Sequence, residues 1–111
     1  MGNGTGCTAC VVLIIANAGD SRAVLCRKRQ AVSLSLDHKP SNDGELKRIV
    51  AAGGSIVAGR INGALNLSRS FGDLAFKQQK KRSYDQQIVI CKPDVSEVVR
   101  EAGKDEFIVF G

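Results

Sequence analysis

Short runs of branched apolar residues, each cut off by turn chemistry, set the tightest limit on what this chain can fold into. Ala9–Ile15 is a continuous apolar stretch rich in Val, Leu and Ile, and it predicts a buried strand. Asn17-Ala18-Gly19-Asp20 is turn chemistry. Arg22–Cys26 resumes as a strand, and Arg27–Gln30 turns again. Val32, Leu34 and Leu36 alternate with Ser33, Ser35 and Asp37, which predicts a half-buried strand. These three strands are expected to pair as an antiparallel meander. Only one segment carries a helical period. There Leu46, Ile49 and Val50 form an i, i+3, i+4 stripe, Ser41 or Asn42 can cap the start with Glu45 behind, and Gly53-Gly54 stops it. Ser55–Val57, Gln87–Cys91, Val95–Arg100 and Glu106–Phe110 predict further strands. Arg60 to Asp73 is punctuated by glycine with little period, and Leu74–Gln87 reads as a basic, polar loop. Gly2–Gly6 is expected to be flexible. The whole is a sheet-dominated α+β pattern with one main helix near residues 42–52.

Composition closes off several classes. With 111 residues, 43% hydrophobic and 24% charged, the chain has the make-up of one globular domain and not of a disordered tail. The apolar run Ala9–Ala16 is far shorter than the ~20 residues that span a bilayer, so no membrane partner is expected. No secretory pattern is present, so Cys7, Cys10, Cys26 and Cys91 read as reduced thiols, and the cytoplasm and/or nucleus is the expected location. Cys7-x2-Cys10 resembles half a zinc site, but no second such pair exists and His38 is the sole histidine. Gly4-x-Gly6-x-x-Ala9 lacks the preceding strand that a dinucleotide fingerprint needs. A Ser/His/Asp triad can be assembled from His38 on paper, with nothing to fix its geometry. The net charge of +5 gathers at Arg27-Lys28-Arg29 and Lys77–Arg82. Either cluster could touch nucleic acid or serve as an import signal, and both read more simply as solvated loops.

Two motifs place carboxylates on glycine corners. Gly19-Asp20-Ser21-Arg22 sets Asp20 on a tight turn where a cation could reach it, or where it only bonds the backbone. Ser68-Arg69-Ser70-Phe71-Gly72-Asp73 sets Asp73 near Arg69, either as a phosphate-facing pair or as a structural ion pair.

Taken in order, the motifs add up. Gly6-Cys7-Thr8-Ala9, Asn17 through Val24 (NAGDSRAV), Leu36-Asp37-His38-Lys39-Pro40, and Glu45-Leu46-x-Arg48-Ile49-x-x-Ala52-Gly53-Gly54 lead. Arg60 through Asp73, Lys92-Pro93-Asp94-Val95 and Asp105 through Val109 follow. The series resembles the PP2C-type (PPM) metal-dependent protein serine/threonine phosphatases. Its Asn-Leu-Ser-Arg variant and long basic loop look most like gamma-type members. The resemblance implies two stacked antiparallel sheets flanked by helices, an αββα layering of which this chain holds part. It implies two or more Mg2+ or Mn2+ ions at one rim and phosphorylated protein substrates. It also implies hydrolysis of phosphoserine and phosphothreonine by a metal-activated water. The family's upstream acidic pair, its Asp-Gly-His-Gly-Gly motif, the Asp-Gly after the strand matched by Phe107–Phe110, and its late Asp-Asn pair are not found. Residues 1–111 therefore read as the central part of a single phosphatase domain, lacking its N- and C-terminal portions, without a catalytic residue and inactive alone. Asp20 matches a carboxylate that the family associates with an additional, weaker metal. Arg60, Asn62, Arg69 and Asp73 fall in Gly59–Gln87, the flap stretch that borders substrate in the family. The alternative is a non-catalytic, truncated binding module that keeps the flap. A nucleic-acid role rests on charge alone, so no nucleic acid partner is expected, and a monomer is.

Overall fold

The computed structural model describes Gly4 and residues 12–111. Cys7, Cys10, the Gly4–Ala9 glycine motif and the first part of the Ala9–Ile15 run lie outside the described residues, apart from Gly4. In chain order the strands are β1 (Val12–Asn17), β2 (Ala23–Arg27), β3 (Gln30–Ser33), β4 (Ile56–Val57), β5 (Arg60–Ile61), β6 (Asp94–Val99) and β7 (Asp105–Phe110). One α-helix, α1 (Asp43–Ala51), lies between β3 and β4, and two 3-10 turns, Leu74–Phe76 and Tyr84–Gln86, break the long basic stretch. All strand pairs are antiparallel. β1 pairs with β6, β2 is central between β3 and β7, and β4 forms a small hairpin with β5.

The two larger sheets face one another. Leu13 and Ile15 from β1 and Val98 from β6 meet Ala23 and Leu25 from β2, Ile108 from β7, and Leu34. Burial of such side chains is the main source of cohesion, at roughly 25 cal/mol per Å2 of apolar surface. The alternation along β1 leaves Val12 and Ile14 on the outside, with Val95 and Val99 beside them, and β7 likewise shows Phe107 and Val109 outward. A second cluster is separate: Ile49 and Ala52 of α1 pack with Ile61, Ile88 and Val89.

Several expectations are corrected. β1 does not join β2 in a meander; the connection crosses between sheets. The His38 amide donates to the Gly19 carbonyl at 2.9 Å and Asn17 Nδ2 donates to the Leu36 carbonyl at 2.9 Å, so the turn is captured by the 36–38 segment before a hairpin can close. The strand expected over Val32–Leu36 stops at Ser33, and of its apolar set only Leu34 is buried. Gln87–Cys91 forms no ladder strand. Its residues 87–90 are buried, tied by one parallel bridge from Ile90 to Arg69. Arg60 to Asp73 contains the β5 half of a hairpin that glycine punctuation hid. On α1, Val50 is exposed, and the buried partner of Ile49 one turn earlier is the carboxylate residue Glu45. Asn42 does sit at the N-cap, but its side chain donates to the Asp37 carbonyl at 2.8 Å and leaves the helix amides alone.

Gly54 marks where α1 is sealed against the core. A Cβ there would lie 2.8 Å from Ile49 Cγ2, 3.2 Å from the Ile49 carbonyl oxygen and 3.3 Å from Ile88 Cγ2. Packed interiors do not absorb such overlap freely. Gly54→Ala is expected to destabilise the fold by about 1–3 kcal/mol, read as a lower urea midpoint. An unchanged midpoint would show that the α1 cluster is looser than described.

Candidate functional site

The polar centre of the molecule is Glu45. It is 5% exposed, on the inner face of α1 between the two apolar clusters' contributing segments. Oε1 accepts from Arg69 Nη2 at 2.7 Å, and Oε2 accepts from Arg48 Nη1 at 2.7 Å and from Ser68 Oγ at 2.6 Å. Both arginines reach onward. Arg48 Nη2 donates to the Ser68 carbonyl at 2.8 Å, and its Nε donates to the Gln87 carbonyl at 3.1 Å. Arg69 Nη1 donates to Asp94 Oδ1 at 2.9 Å and to the Lys92 carbonyl at 3.0 Å. Asp94 Oδ2 is in turn 2.9 Å from Nε2 of His38, which is 3% exposed. His38 Nδ1 lies 3.1 Å from both the amide nitrogen and the carbonyl oxygen of Gly19. Gly19 takes φ 143°, and a Cβ on it would meet the Arg69 carbonyl oxygen at 3.1 Å. A larger residue there would push this turn off the network.

The charges follow from these contacts. Burial pushes the Glu45 carboxyl up, but hydrogen bonds from Arg69, Ser68 and Arg48 overcome it and bring it from an ordinary 4.5 to about 2. The hydrogen bond with His38, then that with Arg69, holds Asp94 below the usual carboxylate range against its partial burial. Burial works against the Arg69 charge, and Glu45 and Asp94 restore it and raise its pKa. Among the described residues no buried side-chain nitrogen or oxygen lacks a hydrogen-bond partner.

The candidate residues fall in three places. Arg69 lies inside the Glu45 network and pairs with Glu45 and Asp94, so the expected Arg69–Asp73 ion pair does not form. Asp73, at φ 48°, instead accepts from Ser70 Oγ at 2.5 Å. Arg60 and Asn62 belong to the β4–β5 hairpin. Arg60 Nη1 donates to the Ala64 carbonyl at 2.8 Å, and Asn62 Oδ1 accepts from the Ser55 amide at 2.9 Å. Asp20 lies between β1 and β2, and its carboxylate accepts from Lys39 Nζ at 2.5 Å. Lys39 lies beside Asp37, which Arg22 grips with both Nε and Nη2 at 2.8 and 3.0 Å. A triad on His38 is ruled out, because both ring nitrogens are engaged by Gly19 and Asp94. Cys26 and Cys91 are half-buried and form no disulfide among the described residues.

No group of three or more His, Cys, Asp or Glu residues able to hold a metal ion occurs among the described residues. Asp20 offers one carboxylate, already neutralised by an ammonium. Hard cations of the Mg2+ class want several oxygens, so the described residues do not by themselves fit a metal centre. No helix among them is long and apolar enough to cross a membrane.

The sequence profile of the family Protein phosphatase 2C matches residues 3–111. The chain belongs to the protein phosphatase 2C family. It is 52% identical over 97% of its length to the protein phosphatase ppm-1.G of Caenorhabditis elegans, and 50% identical over 97% to a probable protein phosphatase 2C of Arabidopsis thaliana. It spans 23% and 32% of those relatives. A crystal structure of a phosphatase from Toxoplasma gondii superposes with a TM-score of 0.74 at 41% identity, covering 78% of this chain and 27% of that one. The described fold is part of the fold of that phosphatase structure. Within this PP2C chain the recognisable motifs meet in one place. The NAGD turn gives Gly19, LDHKP gives His38, the helix motif gives Glu45 and Arg48, NLSRS gives Ser68 and Arg69, and KPD gives Asp94. Sequence reasoning missed this network because it treated the helix stripe as purely apolar. The available signal was Glu45 and Arg48 at i, i+3, flanking the inward Ile49.

Breaking the network by removing one partner leaves buried charge unpaired. Glu45→Ala is expected to cost about 3–5 kcal/mol in denaturant melts. The folded carboxyl titrates at about 2 and the unfolded one at about 4.5, so between these values the unfolded chain binds the extra proton. The stability from Glu45 is therefore fully present above about 4.5 and is lost as pH falls toward 2. Glu45→Gln should flatten that part of the stability–pH curve. A curve that keeps its acid slope in Glu45→Gln would assign the slope to other carboxylates.

Proposed function

We propose that this chain serves as the central portion of a protein serine/threonine phosphatase domain that hydrolyses phosphoserine and phosphothreonine in protein substrates. The family match over residues 3–111 carries this reading. The convergence of its motifs on one satisfied network supports it. In this reading the chain supplies the sandwich core, and residues 59–87 supply the flap beside substrate. Arg60 and Asn62 shape the flap's hairpin, Arg69 anchors it on Glu45, and Asp73 fixes its glycine corner. Mg2+ or Mn2+ is the metal proposed for the whole domain, with its main ligands supplied by segments other than the described ones. Asp20 would serve an additional, weaker ion when Lys39 swings off its carboxylate. The domain would act as a monomer in the cytoplasm or nucleus, without nucleic acid or membrane.

Two outcomes follow. The 111-residue chain alone is expected to give no phosphopeptide turnover with Mn2+. Metal-dependent turnover that survives repurification would contradict the proposal. Substituting residues 12–111 for the matching stretch of the ppm-1.G relative should keep phosphatase activity in the chimera. A folded chimera without activity would count against the phosphatase reading and favour a binding module. In that active chimera, Asp20→Ala should lower turnover without lowering the melting temperature. Loss of about 1 kcal/mol of stability with full turnover would make Asp20 a structural turn residue only.

A further inference from the structure

Lys77, Lys80, Lys81 and Arg82 crowd into one loop. Among the described residues none of the four makes an ion pair with a carboxylate. Lys77 Nζ donates to the Ser70 carbonyl at 2.7 Å, and Arg82 donates to the Ala51 carbonyl. Both are held in place by neutral groups and keep their charge uncompensated. Lys80 and Lys81 are exposed. Asp85, a short step along the chain, is occupied by Ser83 Oγ at 2.6 Å.

The loop is also held from within. Gln87 is 6% exposed and its side chain fills the inside of the loop. Nε2 donates to the carbonyls of Arg82 at 2.9 Å and Gln79 at 3.0 Å, with Ser83 at 3.3 Å sharing a proton. Oε1 accepts from the Gln79 amide at 2.9 Å. A merely solvated loop would not need a buried amide pinned to its backbone at four points. Lys77, Lys80 and Arg82 line a cleft of about 520 Å3 with Tyr84 and Cys91, and no carboxylate lines it.

We propose that this cleft is a docking site for an acidic segment of a protein partner. Fixed like charges repel one another, and an acidic ligand removes that cost. A loop already pinned by Gln87 loses little entropy when it binds. Lys77 and Lys80 in the lining, with Lys81 beside them in the loop, present separate point charges that suit spaced carboxylates, and Arg82 adds a guanidinium. Tyr84 is the sole aromatic of the cleft lining, too few for a row of stacked bases, so peptide is favoured over single-stranded nucleic acid. All of the cleft lining except Cys91 lies within residues 59–87, so its place beside substrate rests on the proposed flap, whereas peptide binding itself needs no turnover and can be read separately.

The test is fluorescence anisotropy with a labelled peptide of alternating Glu and Ser, at physiological salt, on the full chain. The wild type should bind, and Lys80→Glu/Lys81→Glu should weaken binding by about tenfold or more. Gln87→Ala keeps every charge but unpins the loop, and should weaken binding by about fivefold, with circular dichroism checking the fold. Lys28→Glu/Arg29→Glu makes the same charge change at the β2–β3 turn and should leave affinity within about twofold. Equal weakening by both charge reversals would overturn the site in favour of net charge alone. So would absence of wild-type binding, or tighter binding of a single-stranded oligonucleotide than of the peptide.

Discussion

A carboxylate buried at the inner face of α1 governs how this chain can be arranged. Taking Glu45 out of water costs several kcal/mol unless its oxygens are fully hydrogen-bonded. Two arginines and a buried serine meet that demand, and each of them is committed elsewhere as well. Arg48 reaches the 87–88 segment, and Arg69 reaches Lys92 and Asp94. Asp94 begins β6 and takes His38, whose Nδ1 sits against the Gly19 backbone. Satisfying one buried charge therefore fixes the positions of five stretches of chain. The network also sits directly beside the Ile49 cluster, since Ile49 follows Arg48 and Ile88 follows Gln87.

That arrangement explains what the family signature in this stretch is for. Glu45, Arg48, Ser68, Arg69, Asp94 and His38 come from separate motifs, yet their shared task is to saturate one another. Both ring nitrogens of His38 and both oxygens of Glu45 are in use, which leaves no free base or nucleophile there. The network joins α1, the 68–69 and 87–88 segments, the start of β6, and Gly19 and His38.

Much of the fold was legible in the sequence. The single helix, its glycine stop, the β2–β3 turn, and strands β6 and β7 follow from period and turn chemistry. The pairing of β1 was not, because turn residues at 17–20 look like hairpin chemistry until His38 and Leu36 capture them. Gln87–Cys91 has strand composition but spends its backbone on Arg48 and one bridge. Val50 matched the helical stripe, while the inward position went to Glu45, whose burial only its tertiary partners permit. Asp20 follows the Gly19 turn, and Asp73 takes a left-handed backbone at φ 48°. Their partners, Lys39 and Ser70, could not be read from spacing, since the first comes from a different strand connection. Family membership was legible because seven ordered motifs are far more specific than any one.

The most direct test of the joint is native-state hydrogen exchange on the full chain. If the Glu45 network makes one cooperative unit, amides of Ile49 and Val89 should exchange with the same opening free energy as those of Leu25 and Ile15. Arg69→Gln should then lower both sets together. Exchange of the two clusters at separate free energies, with Arg69→Gln affecting only the Ile49 side, would contradict the account.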